Sequence, residues 1–180
     1  MYEGEDFICI TLPKCASRSM MRWAKDLGLQ PIHGMHGMSA DPKDYEGKLV
    51  FVPVRNPYSR ALSLWKHLKE RYNYRSSVEH LMMEFMGQEE MSVKDIFKYA
   101  QIQYMKTRDF PFDEVDVTWV YMENFNEELK NLPIPQENIR IEGATIGNSW
   151  SEIGNLSKKE VCLINKWAKD DFEMLNYDKL

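Results

Sequence analysis

The alternation of two hydrophobic periods along the chain constrains its fold more than any other feature. The compact β-rich run FICITL (7–12) is closed by Pro13, and a helical period follows at once. Met20, Trp23, Ala24 and Leu27 fall at i, i+3, i+4 and i+7, with Gly28 suited to end the helix. Residues 30–46, rich in Gly and Pro, read as a loop. A second apolar run, KLVFVPV (48–54), is a buried strand that Pro53 marks as near its end. Asn56 and Pro57 open a helix as N-cap and first residue, with Tyr58, Ala61, Leu62, Trp65 and Leu68 as its stripe.

The rest of the chain repeats the theme. A short helix is expected over 77–86, and a second over 92–104, capped by Ser92 with Val93, Ile96, Phe97, Ala100 and Tyr104 on one face. VTWVY (117–121) is a third strand. Asn124 with Glu127, and Ser157 with Glu160, have capping-box spacing, the second opening a last helix over 158–175. Strands alternating with helices predict one α/β domain spanning 1–180, with a mostly parallel central sheet flanked by helices.

Composition narrows the function classes. Against 28 acidic residues stand 23 basic ones, a net charge of −5 that disfavours nucleic acid as the main partner. The three cysteines, Cys9, Cys15 and Cys162, form no CxxC pair or Cys/His cluster, so neither a disulfide framework nor a metal site is expected. No apolar run reaches the length of a membrane span, and the acidic MYEGEDF start lacks the layout of a signal peptide. The expectation is a protein of the reducing cytoplasm.

Two turns carry candidate chemistry. Between FICITL and the first helix lie Lys14, Cys15, Ala16, Ser17, Arg18 and Ser19. A helix N-terminus offers unpaired amides and a positive dipole end, small residues let an anion approach, and Lys14 adds a full charge. This is not a GxxxxGK[ST] loop. Taken alone, an ordinary strand-to-helix turn with a solvated lysine explains the stretch equally well. Arg55 ends the second strand, and Ser63 follows eight residues on, with Ser59 one helical turn before it. An arginine fork and a hydroxyl two turns into the helix suit one phosphate group. Singly, the plainer reading is an arginine packed on the sheet end and serines on a wet face.

Together, the two turns resemble a family. LPKCASRS is similar to the 5′-phosphosulfate loop, and VRNPYSRALS to the 3′-phosphate motif, of sulfotransferases that use 3′-phosphoadenosine-5′-phosphosulfate (PAPS). VYMENFNEEL and WAKDDFEMLNY resemble segments near the end of the Golgi-type carbohydrate sulfotransferases, so the likeness runs over about residues 7–177. The chain departs from that pattern at Ala16, where glycine is frequent and an alanine fits if its φ is negative, and at Arg18, where threonine is usual. It is also shorter than most relatives and is expected to be without their N-terminal membrane anchor, so the acceptor is not carried over.

The resemblance implies a P-loop-NTPase-like three-layer fold and in-line transfer of a sulfuryl group from PAPS to a hydroxyl or amine of a small-molecule or glycan-type acceptor. It implies that Lys14 and the amides of 15–19 hold the sulfated end, and that Arg55 and Ser63 hold the 3′-phosphate. No metal is required. A base must take the acceptor's proton. Of the four histidines, His33 and His36 sit in the loop PIHGMHGM. His36 is preferred because Gly34 and Gly37 leave room beside it, with Glu70 and Glu84 as carboxylate substitutes. His67, and the basic run Lys66, Lys69, Arg71 and Arg75, read as a solvated helix face. Gln103 resembles a glutamine near the acceptor cleft of relatives. Other classes remain open: a nucleotide or metabolite kinase with a degenerate phosphate loop, or a non-catalytic nucleotide-binding module.

Overall fold

The computed structural model describes residues 1–87, 95–136 and 152–180. They form an α/β protein with a four-stranded, mostly parallel sheet and, among the described residues, seven α-helices. Two compact units emerge, one of Met1–Arg55 with Met105–Ala144, the other of Asn56–Tyr104 with Thr145–Leu180. Among the described residues no helix is long and apolar enough to cross a membrane.

The first unit holds the sheet, in the order β1 (Tyr2–Glu3), β2 (Phe7–Cys9), β3 (Leu49–Val54), β4 (Val117–Tyr121). β1 pairs antiparallel with β2, a hairpin the sequence reading missed because two residues carry no period. β2, β3 and β4 run parallel, with Ile8 opposite Val50 and Val50 opposite Val117. The second apolar run thus forms an inner strand of the sheet, between β2 and β4. Pro53 is tolerated there because β2 pairs only as far as Phe51, leaving β4 as the strand opposite Pro53. β2 itself stops at Cys9, three residues short of the expected run. Beyond it, Thr11 directs its polar groups to a loop rather than to a neighbouring strand. Helix α1 (Ser17–Asp26) ends at Gly28, whose φ of 75° and amide bond to Lys25 form, with the Leu29 amide on Ala24, a Schellman cap. Its Trp23 packs against Phe7 and Phe51, with ring centroids 5.4 and 6.1 Å away. The Trp23 indole N–H donates to the Pro135 carbonyl.

The second unit is helical. α2 (Pro57–Tyr72) is capped by Asn56, whose side chain accepts from the amides of Tyr58 and Ser59. α3 (Val78–Phe85) is capped by Ser77. α6 (Lys158–Trp167) opens on the expected Ser157–Glu160 capping box. The stripe of α2 (Tyr58, Ala61, Leu62, Leu68) packs with Leu81, Phe85, Ile164 and Phe172 in one core.

Three helix expectations are corrected. The helix expected over 92–104 is a 3-10 turn (Asp95–Phe97) and a separate α4 (Gln101–Lys106); Ser92 and Val93 lie outside the described residues. The last helix divides at Ala168 into α6 and α7 (Lys169–Met174). α5 (Phe125–Lys130) continues from a 3-10 turn (Met122–Asn124), and Asn124 makes no side-chain cap, so the expected capping box is not formed.

Candidate functional site

The turn between β2 and α1 is built from strained backbone. The Cys15 amide donates to the Leu12 carbonyl, closing a turn with Pro13 second and Lys14 third. Lys14 has φ 68°, so the arrangement is that of a type II turn with lysine where glycine is favoured. Ala16, the N-cap of α1, is also left-handed, with φ 52° and ψ 17°. The condition that its φ be negative is therefore not met. An L-residue in this region costs about 1–2 kcal/mol, and two such residues within three positions mark a turn held in shape by its surroundings.

That geometry has a chemical result. A left-handed residue followed by a helical one turns successive amides toward one point, a concavity that suits an anion. Ala16 offers no side chain to cap α1, and the first-turn amides of a helix have no acceptor within it. Lys14 and Ser17 are half-buried, Arg18 is exposed and Ser19 is buried. Cys15 is placed differently from its expected role: its amide serves Leu12 and its fully buried thiol faces the Pro13 carbonyl. Of the amides of 15–19 expected to hold an anion, that of Cys15 is thus engaged within the turn. Ala16→Gly should relieve the left-handed strain and raise stability by up to about 1 kcal/mol after the added chain entropy of glycine. Ala16→Val should lower it, and urea midpoints of the two variants test the pair.

The loop after α1 is tied to the same strand end. The Ile32 amide donates to the Met1 carbonyl, and Tyr2 bridges Pro31. The Thr11 hydroxyl donates to the Met35 carbonyl, and His36 Nδ1 lies 3.0 Å from the Thr11 carbonyl. Gly37 is needed there, since a Cβ at that position would stand 1.8 Å from the His33 carbonyl oxygen. The two histidines are thus separated: His33 is exposed in left-handed backbone, whereas His36 is half-buried beside the strand end that leads into Lys14.

Arg55 follows β3 and is only 3% exposed. A guanidinium at that depth must be matched by acceptors or an anion. In the second unit, Ser59 and Ser63 lie one turn apart on α2, and both are buried, so the wet-face reading of these serines is set aside. His67 is likewise not on a solvated face; its ring packs against Tyr72 and Phe97 at 5.8 and 5.4 Å. Of the basic run, Lys66 pairs with Glu152 and Lys69 lies over the Trp65 ring, while Arg71 and Arg75 are exposed. Glu84 is buried and accepts from Tyr74 and pairs with His80, which removes it as a base; Glu70 is exposed. Gln103 is exposed on α4.

Sequence reasoning passed over one group. Asp171 of α7 is fully buried and accepts from the Gln101 amide (3.0 Å), the Gln101 side chain (2.9 Å) and the Ile102 amide (2.8 Å). Burial pushes its carboxyl above the ordinary range, while Arg60 and these donors pull it back. The segment WAKDDFEMLNY therefore contributes a clamp on the start of α4. Acidic residues adjacent in sequence gave no sign of which one turns inward. No protein-family model, curated protein or solved structure matches the chain.

Proposed function

We propose that the protein is a PAPS-dependent sulfotransferase with a P-loop-NTPase-like three-layer fold, acting in the cytoplasm on a small-molecule or glycan-type acceptor. The observation that carries this reading is the strained turn at Lys14 and Ala16 leading into the uncapped start of α1. Such a turn, with a lysine beside it, suits a sulfated phosphate rather than a neutral ligand.

The residues divide the work by chemistry. Bound PAPS would supply the sulfuryl group for in-line displacement by an acceptor hydroxyl or amine. Lys14 and the amides from Ala16 onward would balance charge building on the leaving phosphate, a preorganised electrostatic effect. Arg55 would hold the 3′-phosphate, the group that separates this donor from ATP. His36 would accept the acceptor's proton. Its Nδ1 faces a carbonyl, which can only accept, so in the neutral ring the proton sits on Nδ1 and the lone pair on Nε2.

Calorimetry tests the donor assignment. 3′,5′-Adenosine bisphosphate should bind, and Arg55→Ala should weaken it by about 1.5–3 kcal/mol, the range for hydrogen bonds to charged groups. Binding of 5′-AMP should change little. Equal weakening of both ligands would make Arg55 a residue of the fold alone. Tight binding without transfer from labelled PAPS to any of a panel of sugars, phenols, peptides and lipids would favour a non-catalytic nucleotide-binding module.

A further inference from the structure

We infer that Thr11 is the positioning residue of His36, gripping it at two points and fixing which ring nitrogen carries the lone pair. The first point is the Thr11 carbonyl, 3.0 Å from Nδ1. The second is the Thr11 hydroxyl, which donates to the Met35 carbonyl. That carbonyl belongs to the peptide unit joining Met35 to His36, so one residue holds both the ring and the backbone that bears it. Thr11 is fully buried, whereas Met35 is exposed and His36 half-buried. The clamp therefore has its rigid side in the sheet and its held side in the loop.

The chemistry follows from the partners. A carbonyl oxygen cannot donate, so it selects the Nδ1–H tautomer, the less favoured form of a free histidine side chain. The hydroxyl keeps the loop from turning the ring away. A buried hydroxyl already donating to one carbonyl has a defined direction, and removing it leaves that acceptor unmatched. Glycines at 34 and 37 allow the tight turn, in which the Gly37 amide bonds the Gly34 carbonyl. The inference about the tautomer is independent of the reaction, and its catalytic meaning rests on the sulfotransferase reading.

The test is side-chain 15N NMR on the full chain with labelled histidine, His36 being assigned by the signal lost in His36→Ala. In the wild type, above the pH where the ring is charged, the proton should lie on Nδ1. In Thr11→Val the signal should move toward the tautomer mixture of a free side chain, and Thr11→Ser should restore it. Turnover with PAPS should fall about 10–100-fold in Thr11→Val, as expected for a displaced catalytic group, with bisphosphate affinity unchanged. A wild-type proton on Nε2 overturns the inference, as does a Thr11→Val spectrum identical to wild type. If Thr11→Val does not fold, the wild-type and Thr11→Ser spectra decide by the same criterion. The expected spectra in a protein that transfers no sulfate would leave the clamp standing and refute the sulfotransferase reading.

Discussion

His36→Ala should lower turnover with PAPS by about 10²–10⁴-fold, the usual contribution of a positioned base, while 3′,5′-adenosine bisphosphate binds as before. His33→Ala should stay within a few-fold of wild type, which is below that range. The difference between the two follows from their surroundings. His36 is half-buried and held through Nδ1 by the Thr11 carbonyl, so its ring has one orientation and one neutral tautomer. His33 is exposed and sits in left-handed backbone. If both variants keep more than about a tenth of the wild-type rate, short of the range for a base, neither imidazole takes the proton. Glu84 would not then replace them, because its carboxylate is buried against Tyr74 and His80.

Asp171→Ala should destabilise the fold by about 3–5 kcal/mol, the loss seen when one member of a buried charged group is removed. Three N–H groups at the start of α4 lose their acceptor, and Arg60, fully buried, loses the opposite charge that acts on it. Asp171→Asn should cost less, because one carbonyl oxygen remains, but its NH2 group would face donors. Asp170, half-buried where Asp171 is fully enclosed, should cost less than Asp171 when replaced by alanine. Urea unfolding of the three variants reads the order directly. A loss below about 1 kcal/mol for Asp171→Ala, the average for any point change, would show that the clamp contributes little.

The periodic elements were legible before the structure, and the devices between them were not. VTWVY emerges as β4 with the same ends, and the Asn56–Pro57 and Ser157–Glu160 starts emerge as capped helices. Each rests on local chemistry that the chain carries wherever it folds. The break at Ala168 has no local signal, since alanine is a good helix former; the next turn instead turns Asp171 inward to α4, a distant partner. Likewise the spacing of Arg55, Ser59 and Ser63 was visible, but their burial was not, because a serine one turn from another fits a wet face equally well. The left-handed backbone at Lys14 and Ala16 was hidden for a similar reason: neither residue type advertises a positive φ. Thr11, read as part of a longer strand, gave no hint that its polar groups belong to the loop at Met35 and His36.

The order of the parallel strands bears on how the chain comes to be folded. Val50 of β3 pairs with Val117 of β4, and the whole stretch 56–104 of the other unit is encoded between them. Parallel neighbours so far apart close a long loop before any contact rewards it, which is the condition for slow, non-local assembly. During synthesis β3 leaves the ribosome well ahead of β4, and its fully buried Phe51, Val52 and Val54 wait with one ladder unmade. The helical stretch is translated during that interval. The sheet edge at β3 is thus the nascent chain's vulnerable surface, and the segment that a holding chaperone would be expected to cover.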